Sequence, residues 1–129
     1  MAEPLVSIDV SEIRDGKLEE LKTAMKDLVD FVDANEPEPI AYHVYLDESG
    51  ARVTVFQIHP DSASMEFHMK AAGSAFPKLS EFLTLSRIDV YGEPSEGLMD
   101  QLRNKARMLG HASVSVHALH AGFTRVGAR

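Results

Sequence analysis

The predicted fold is built around residues 40–59, which have the sequence IAYHVYLDESGARVTVFQIH. This stretch reads as two strands joined by a tight turn. β-Branched and aromatic residues dominate both halves, and such residues favour the pleated surface of a sheet. The link between the halves ends in Gly50, and short glycine-containing links close β-hairpins. Both faces of each strand carry apolar or aromatic residues, whereas a sheet with one solvated face alternates apolar with polar. We therefore predict helices on one face of the sheet and a second subunit on the other.

The segments before the hairpin predict a strand and a helix. Residues 5–10 alternate as a strand, with Asp9 on the face opposite Val6, Ile8 and Val10. A carboxylate within a strand is costly unless it is paired or wet, so Asp9 is predicted at an edge or a cavity. The apolar stripe Leu18, Leu21, Met25, Leu28 and Val32 then predicts a helix, capped by Asp15 and ending near Asn35.

The segments after the hairpin predict a helix, a strand and a structured extension. Asp61 is predicted to cap a helix that ends near Gly73. Residues 84–91 are predicted to form the fourth strand, with Leu85, Arg87, Asp89 and Tyr91 on one face and Ser86, Ile88 and Val90 on the other. Residues 94–126 add a helix with the apolar positions Leu98, Leu102, Ala106 and Leu109, and then a fifth strand.

The order of the predicted elements defines the fold class. Residues 5–91 read strand, helix, strand, strand, helix, strand, which is the ferredoxin-like βαββαβ plan with an antiparallel sheet. The class is therefore α+β, with a C-terminal helix and strand outside the core. The length of 129 residues suits one domain, so we predict a single domain over residues 1–129.

The composition limits the possible partners of the protein and its cellular compartment. The chain has no cysteine, no apolar run of membrane-spanning length and no signal-peptide start, which favours a cytoplasmic protein without a membrane partner. Its net charge of −7 argues against nucleic acid as a partner. The five basic residues of the segment 101–129, which has no acidic residue, either pack on the acidic body or form a site for an anionic ligand.

Few patterns in the sequence point to chemistry directly. There is no glycine-rich phosphate loop and no nucleophile elbow. His111, His117 and His120 are poorly spaced for a shared metal ion on a strand, so no metal site is predicted. His68 lies on the inner face of a predicted helix beside Met65 and Met69. It is either a base with a pKa near neutrality or a core histidine bonded to a strand.

The run FQIHPDSASMEFH, residues 56–68, resembles the signature of antibiotic biosynthesis monooxygenase-like domains. In that signature a strand with the pattern aromatic-Glu-x-aromatic is followed by an acidic turn and a helix of the form Ala-Leu-x-x-His. Gln57 stands at the glutamate position, His59 where tryptophan is common, and His68 on the helical histidine. The resemblance implies a homodimeric α+β barrel built from two ferredoxin-like subunits.

The same resemblance implies a function and a set of site residues. It implies a cofactor-independent monooxygenase that acts on an aromatic or polyketide-like compound, with His68 as the catalytic base. The substrate-binding residues that we predict are Tyr42, Phe56, Gln57, Met65, Phe76 and Tyr91. The positions of the haem-degrading branch do not match: the first strand offers Ser7 and Asp9 in place of its asparagine, and Lys78 falls near its haem-ligating histidine. No cofactor is therefore expected.

A second hypothesis from a different class is a non-catalytic dimeric domain that binds a ligand or responds to stress. A cavity filled by Phe56, Phe67, Phe76 and Phe82 would favour this alternative. An apolar cavity with two or more convergent polar groups would favour the enzyme. Tyr42, Tyr45 and Tyr91 either orient an aromatic ligand or pack in the core or the dimer interface, where tyrosines are common.

Overall fold

The computed structural model describes residues 3–125 and contains five strands on which four helices are arranged. In chain order the elements are β1 (Leu5–Ile13), α1 (Leu18–Asn35), β2 (Ala41–Leu46), β3 (Arg52–His59), α2 (Ser62–Ala72), α3 (Phe76–Leu79), β4 (Leu83–Tyr91), α4 (Glu96–Met108) and β5 (Ser113–His117). A short 3-10 turn, Gly73–Ala75, connects α2 to α3. No helix within residues 3–125 is long and apolar enough to cross a membrane.

The five strands form one sheet in the order β2-β3-β1-β4-β5. The strand β1 lies at the centre and pairs antiparallel with β3 and with β4, while β2 pairs antiparallel with β3. This is the predicted ferredoxin-like α+β arrangement. The fifth strand extends it, because β5 lies beside β4 and runs parallel to it after the crossover through α4.

The central strand turns its polar residues toward the helices. Leu5, Ser7, Asp9 and Ser11 are buried on that face, and Val6, Ile8 and Val10 alternate onto the other. Asp9 therefore lies in the interior at the centre of the sheet and not at an edge. The apolar core surrounds this polar strip, with Leu21, Met25, Leu28 and Val32 of α1 packed as the sequence predicts.

A β-bulge in β4 changes which residues share a face. Val10 pairs with Arg87 and the next residue of β1 pairs with Leu85, so Ser86 is an extra residue in the ladder. Because a bulge shifts the alternation by one residue, Leu85 lies with Ile88 in the core. The predicted grouping of Leu85 with Arg87 on one face is wrong for this reason.

The helix ends follow the predicted capping at two of three positions. Asp61 accepts a hydrogen bond from the Ser64 amide at 2.9 Å, as a helix N-cap does. Asp15 does not cap α1, which begins after Lys17 without a side-chain cap. At the other end of α2, Gly73 follows the last helical residue as predicted, but its φ of −58° is right-handed and leads into the 3-10 turn.

We expect Gly110→Ala to lower the free energy of unfolding by about 1–3 kcal/mol, because Gly110 has a φ of +139° and an added Cβ would lie 2.7 Å from Thr84 Cγ2. Gly73→Ala is the matched control. Its φ is already helical and nothing lies within 4 Å of an added Cβ, so it should be neutral or stabilising. Denaturant titration measures both, and equal stability of the two variants would contradict the prediction.

Candidate functional site

Among residues 3–125, nine polar or charged side chains are buried, and most of them lie between the helices and the sheet. They are Ser7, Asp9, Ser11, Glu36, Gln57, His59, Ser64, His68 and Lys105. Burying a polar group is costly unless it is hydrogen-bonded, so such a cluster needs an internal set of partners. Alternation explains how it forms, because the inward positions at the ends of two neighbouring strands are Ser7 and Asp9 on β1 and Gln57 and His59 on β3.

The pair His68–Glu36 joins α2 to the residue that follows α1. Nδ1 of His68 lies 2.9 Å and 3.0 Å from the two carboxyl oxygens of Glu36. Both side chains are 0% exposed. The Glu36 backbone amide donates to the Val32 carbonyl at 2.9 Å, which fixes this residue to the end of the helix. The carboxyl group is therefore held in one place against the imidazole.

Burial shifts the pKa values of this pair in opposite directions. It raises the pKa of Glu36 to about 7, and burial together with the nearby Lys105 and His59 lowers the pKa of His68 to about 3. Near neutral pH the imidazole is thus neutral, and a proton taken up by the pair resides on Glu36. An ionised Glu36 needs a donor, so Nδ1–H of His68 donates to it and Nε2 is left as an unprotonated base.

The second histidine of the cluster, His59, is held at both ring nitrogens. Nε2 lies 2.9 Å from Gln57 Oε1, and Nδ1 lies 2.7 Å from the Ser64 hydroxyl. Burial lowers the pKa of His59 to about 4, so the ring is neutral near pH 7. A neutral ring donates with one nitrogen and accepts with the other, so Nε2–H donates to Gln57 and the Ser64 hydroxyl donates to Nδ1. His59 thus positions Gln57 and has no free nitrogen of its own.

Two buried atoms of the cluster have no hydrogen-bond partner among residues 3–125, and they are Nε2 of His68 and Nε2 of Gln57. The His59 ring, which Gln57 contacts, lies 5.9 Å from the His68 ring between centroids. Unpaired buried polar atoms are rare in folded proteins and call for a bound molecule or a functional role. The cluster therefore offers a ligand an acceptor on His68 and a donor on Gln57.

Tyr42 connects this cluster to the surface. Its ring packs edge-on against His68 with 5.2 Å between centroids. Burial and then the charges of Asp9 and Glu36 raise the pKa of Tyr42, so it stays a neutral phenol. The same residue lines a groove of about 620 Å³ between α1 and β2, with Leu21, Met25, Val44 and Leu46 among its apolar walls. A molecule in this groove would meet Tyr42 directly in front of His68.

A buried ion pair lies on the same face of the sheet. Nζ of Lys105 on α4 is 2.6 Å from Oδ2 of Asp9, and Ser7 Oγ is 3.4 Å from the other oxygen of that carboxylate. The ammonium also lies 4.7 Å from the centroid of the Phe76 ring. Lys105 of α4 thus places a positive charge in the interior of the βαββαβ core.

The predicted site residues fall into two groups. His68, Tyr42, Gln57, Met65 and Phe76 all lie on the helix-covered side, within or beside the buried polar cluster. Phe56 and Tyr91 lie on the opposite face, where they stack on His43 and His117 at 6.3 Å and 4.5 Å between centroids. Strand alternation separates them, because Phe56 is adjacent to Gln57 and Tyr91 to the buried Val90. The predicted set therefore does not surround one cavity within a chain.

Two charged residues of the cluster, Glu36 and Lys105, were not among the predicted site residues. Glu36 lies between a helix end and a proline, where an acidic residue ordinarily faces water, and nothing in the sequence marks it. Lys105 did carry a signal, since it falls on the apolar stripe of Leu98, Leu102, Ala106 and Leu109. A lysine on the inner face of an amphipathic helix indicates a buried partner.

A larger groove, of about 800 Å³, lies elsewhere, between α1 and α3. Its apolar floor includes Leu28, Phe31, Leu79 and Phe82, and acidic residues such as Asp27 line its rim. None of the nine buried polar residues lines it. Size alone does not make it the reactive site, because the atoms able to move protons lie around His68. Within residues 3–125 no group of three or more His, Asp or Glu side chains is placed to hold a metal ion.

We expect the free energy of unfolding to rise between about pH 4 and pH 6.5. Unfolding returns His59 and His68 to a pKa near 6.5, so the unfolded chain binds protons on both rings that the folded chain excludes. Glu36 opposes this trend above about pH 4.5, because its folded pKa of about 7 lies above its ordinary value of 4.5. Two histidines outweigh one carboxyl group, so the net slope is positive.

Denaturant titrations at a series of pH values measure this slope. Glu36→Gln should steepen it, since the variant removes the opposing group. His120→Ala, at an exposed position, should leave it unchanged. A flat or falling profile of the wild-type protein over this range would contradict the neutral state of the two buried histidines.

Together the fold and the site define a ferredoxin-like α+β protein with a buried acid–base cluster. No protein-family model matches the sequence, and no curated protein matches it significantly. Solved structures do match its fold. MupZ from Pseudomonas fluorescens is 15% identical, with a TM-score of 0.74 and 96% of each chain covered. An antibiotic biosynthesis monooxygenase is 18% identical, with a TM-score of 0.57, and the match covers 67% of this chain and 92% of that one.

A conserved protein from Methanosarcina mazei Go1 matches in the same way, with 22% identity, a TM-score of 0.61, and 68% of this chain and 90% of that chain covered. The predicted resemblance to antibiotic biosynthesis monooxygenase-like domains is thus confirmed at the level of the fold. The matches also differ in extent. A match over 96% of the chain includes the C-terminal helix, whereas matches over about two thirds are comparable in length to the βαββαβ core alone.

Proposed function

We propose that the protein is a cytoplasmic, cofactor-independent monooxygenase that acts on an aromatic or polyketide-like small molecule. The observation that carries the proposal is the fully buried pair His68–Glu36, in which Nε2 of His68 has no partner among the described residues. The shared fold with an antibiotic biosynthesis monooxygenase supports it further. The chemistry follows from the protonation state of the pair.

The first step is removal of a proton from the substrate. A phenol or an acidic C–H group next to a carbonyl reaches Nε2 of His68, which accepts the proton. As Nε2 gains a proton, Nδ1 passes its own to Glu36, whose pKa of about 7 allows it to hold the proton near neutral pH. The net charge of the pair thus changes from −1 to 0. This loss of negative charge favours the negative charge that develops on the substrate.

The second step uses the substrate itself as the reductant. The carbanion-like anion reacts with dioxygen and forms a carbon–oxygen bond, giving a peroxide. Loss of water from the peroxide breaks the oxygen–oxygen bond and leaves a carbonyl on the substrate. One oxygen atom enters the product, the other leaves as water, and the two protons of that water come from the substrate. The balance needs no external electron donor.

The groove between α1 and β2 is the binding site in this proposal. Its apolar walls suit an aromatic ligand, and Tyr42 lies between the groove and His68. The Tyr42 hydroxyl remains protonated, so it can donate a hydrogen bond to a substrate oxygen. Gln57, paired with Tyr42 across the β2–β3 ladder, presents its free amide to the same region.

The experiment that tests the proposal is a dioxygen-uptake screen with polycyclic phenols under isotopically labelled dioxygen. Uptake should be matched by a product that contains one labelled oxygen atom and by labelled water in equal amount. Glu36→Gln retains a hydrogen-bonding side chain but cannot take up the proton, so it is the matched inactive control. The proposal would be contradicted if the label appeared only in hydrogen peroxide. It would also be contradicted if the wild-type protein and Glu36→Gln took up dioxygen at the same rate.

The larger groove between α1 and α3 favours the second candidate function, non-catalytic binding of a small molecule. Its apolar floor lies apart from the acid–base cluster, so a ligand there would meet no base. The predicted phenylalanine-filled cavity gives this alternative no support, since Phe67 is 51% exposed and Phe56 lies on the far side of the sheet from Phe76. A ligand whose binding is insensitive to Glu36→Gln and blocked by Leu79→Trp would favour it.

The proposed enzyme is a homodimer formed through the helix-free face of the sheet. Val6, Ile8, Phe56 and Ile58 are only half-buried there, and Tyr45 is 55% exposed. An apolar face of this kind on a single chain is typical of a protein–protein interface. Arg87 and Asp89 pair within the chain, with 3.1 Å between Nε and Oδ2.

We expect sedimentation at micromolar concentration to show a dimer, and Phe56→Glu to convert it to a monomer. A charge in the centre of the apolar face cannot be paired or solvated in the complex, so the dimer is lost. Phe67→Glu is the control, because Phe67 is exposed on α2, away from that face. A wild-type monomer at all concentrations, or a dimer that survives Phe56→Glu, would rule out this interface.

A further inference from the structure

The interior ion pair Lys105–Asp9 has no part in the proton transfer described above. Both side chains are almost fully buried, at 9% and 5% exposure, and their charged atoms lie 2.6 Å apart. Buried lysines are rare, and replacement of a buried ion pair by apolar residues is often neutral or stabilising. Stability alone therefore gives little reason for this pair to lie beneath a sheet that is otherwise packed with apolar side chains.

The position of Lys105 relates it directly to the acid–base cluster. Lys105 reaches this cluster through Asp9, which lies two residues from Ser7 on β1, and strand pairing aligns Ser7 with Gln57 of the neighbouring β3. The same ammonium lowers the pKa of His68. Its partner Asp9 in turn raises the pKa of Tyr42, the residue at the inner end of the α1–β2 groove. The cation therefore faces the same interior as the base and the phenol.

The ammonium also has hydrogen-bonding capacity to spare. A lysine ammonium carries three N–H donors. Among residues 3–125 one donor is used by Asp9, and the Phe76 ring face, 4.7 Å away, occupies a second direction. The third donor remains for another acceptor. An oxygen that becomes negatively charged during reaction is the acceptor that gains most from such a donor.

We infer that Lys105 is a second functional group of this site and binds the oxygen on which the negative charge of the substrate collects. The inference rests on the proposed function, and it narrows the substrate class to phenols and enolisable carbonyl compounds, whose anions carry their charge on oxygen. Asp9 positions the ammonium. The C-terminal helix, which lies outside the βαββαβ core, is in this way part of the active site.

A phenolate probe tests the inference without turnover. The probe is 4-nitrophenol, whose phenolate absorbs visible light and whose phenol does not. At a pH just below the pKa of the free probe, addition of the wild-type protein should increase the phenolate absorbance. Lys105→Met should weaken phenolate binding by about 10- to 100-fold, the loss expected for one charge-assisted hydrogen bond. Arg103→Met, an exposed position on the same helix, should behave as wild type.

A second ligand and a second variant make the result decisive. The binding of 4-nitroanisole, which cannot ionise, should be the same for the wild-type protein and Lys105→Met. If Lys105→Met does not fold, the double variant Asp9→Leu/Lys105→Met removes both charges together and should show the same loss of phenolate binding.

The outcomes separate this inference from the proposed function. An equal increase in phenolate absorbance with wild type and Lys105→Met would overturn the role of Lys105, and so would the absence of any increase with wild type. Phenolate binding that depends on Lys105, with no dioxygen uptake for any phenol, would leave the role of Lys105 intact and contradict the oxygenase.

Discussion

Replacing His68 with alanine is expected to lower dioxygen uptake with a phenolic substrate by about 10²–10⁴-fold, the usual contribution of a general base. The reason is geometric as well as chemical. His68 is the only described residue that contacts Glu36 and also presents an unpaired ring nitrogen to the interior. Without the imidazole, Glu36 stays buried and is separated from the substrate by the space that the ring filled.

The same substitution removes a buried hydrogen bond, which costs about 1–3 kcal/mol of stability. Activity and thermal unfolding must therefore be measured on the same sample, well below the unfolding transition. Glu36→Gln adds a sharper comparison, since it keeps the packing and removes only the proton acceptor. His120→Ala controls for the loss of a histidine at an exposed position. Full activity of folded His68→Ala would show that this residue is a core histidine and end its assignment as the base.

Asp9→Ala is expected to lower the free energy of unfolding by about 3–5 kcal/mol, which is the largest stability effect that we predict. The substitution leaves the Lys105 ammonium buried without its only charged partner among the described residues. An uncompensated charge in the interior is costly because the surroundings cannot solvate it. The double variant Asp9→Leu/Lys105→Met removes both charges and should recover most of the loss.

The matched control is the exposed pair Arg52–Glu12, whose charged atoms are 2.7 Å apart and whose side chains are 60% and 49% exposed. Glu12→Gln should cost no more than about 1 kcal/mol, since water and salt screen a surface pair. Chemical denaturation of the variants gives the comparison. If Asp9→Ala is as stable as Glu12→Gln, then the Lys105 ammonium reaches solvent in the folded protein and is not a buried charge that depends on Asp9.

The sequence predicted the architecture well because the fold depends on patterns that a single chain displays. The hairpin at residues 40–59, the stripe of α1 and the cap at Asp61 all act locally, and each is confirmed. The register of β4 could not be predicted, because the bulge at Ser86 is set by its pairing with β1 and leaves no mark in its own composition. Because of this extra residue, Leu85 lies in the core and not on the face that carries Arg87.

The site could be predicted only where a functional residue also interrupts a pattern. His68 was found on the inner face of a predicted helix and also through the resemblance. Gln57 was found through the resemblance, and Asp9 because a carboxylate interrupts a strand. Glu36 was missed because it is polar in a polar loop, and only the packing of that loop against α2 makes it a buried carboxyl group. Phe56 was named with Gln57 as a substrate-binding residue, although adjacent strand residues face opposite ways.

The contact between Asp9 and Lys105 joins residues 96 positions apart. During synthesis β1 leaves the ribosome long before α4 does, so Asp9 has no ionic partner until α4 has been made. Closing so long a loop is entropically unfavourable and slow compared with forming the hairpin. A chain cut before α4 could pair its first four strands but would bury an unpaired carboxylate. Completion of the interior thus depends on the synthesis of α4.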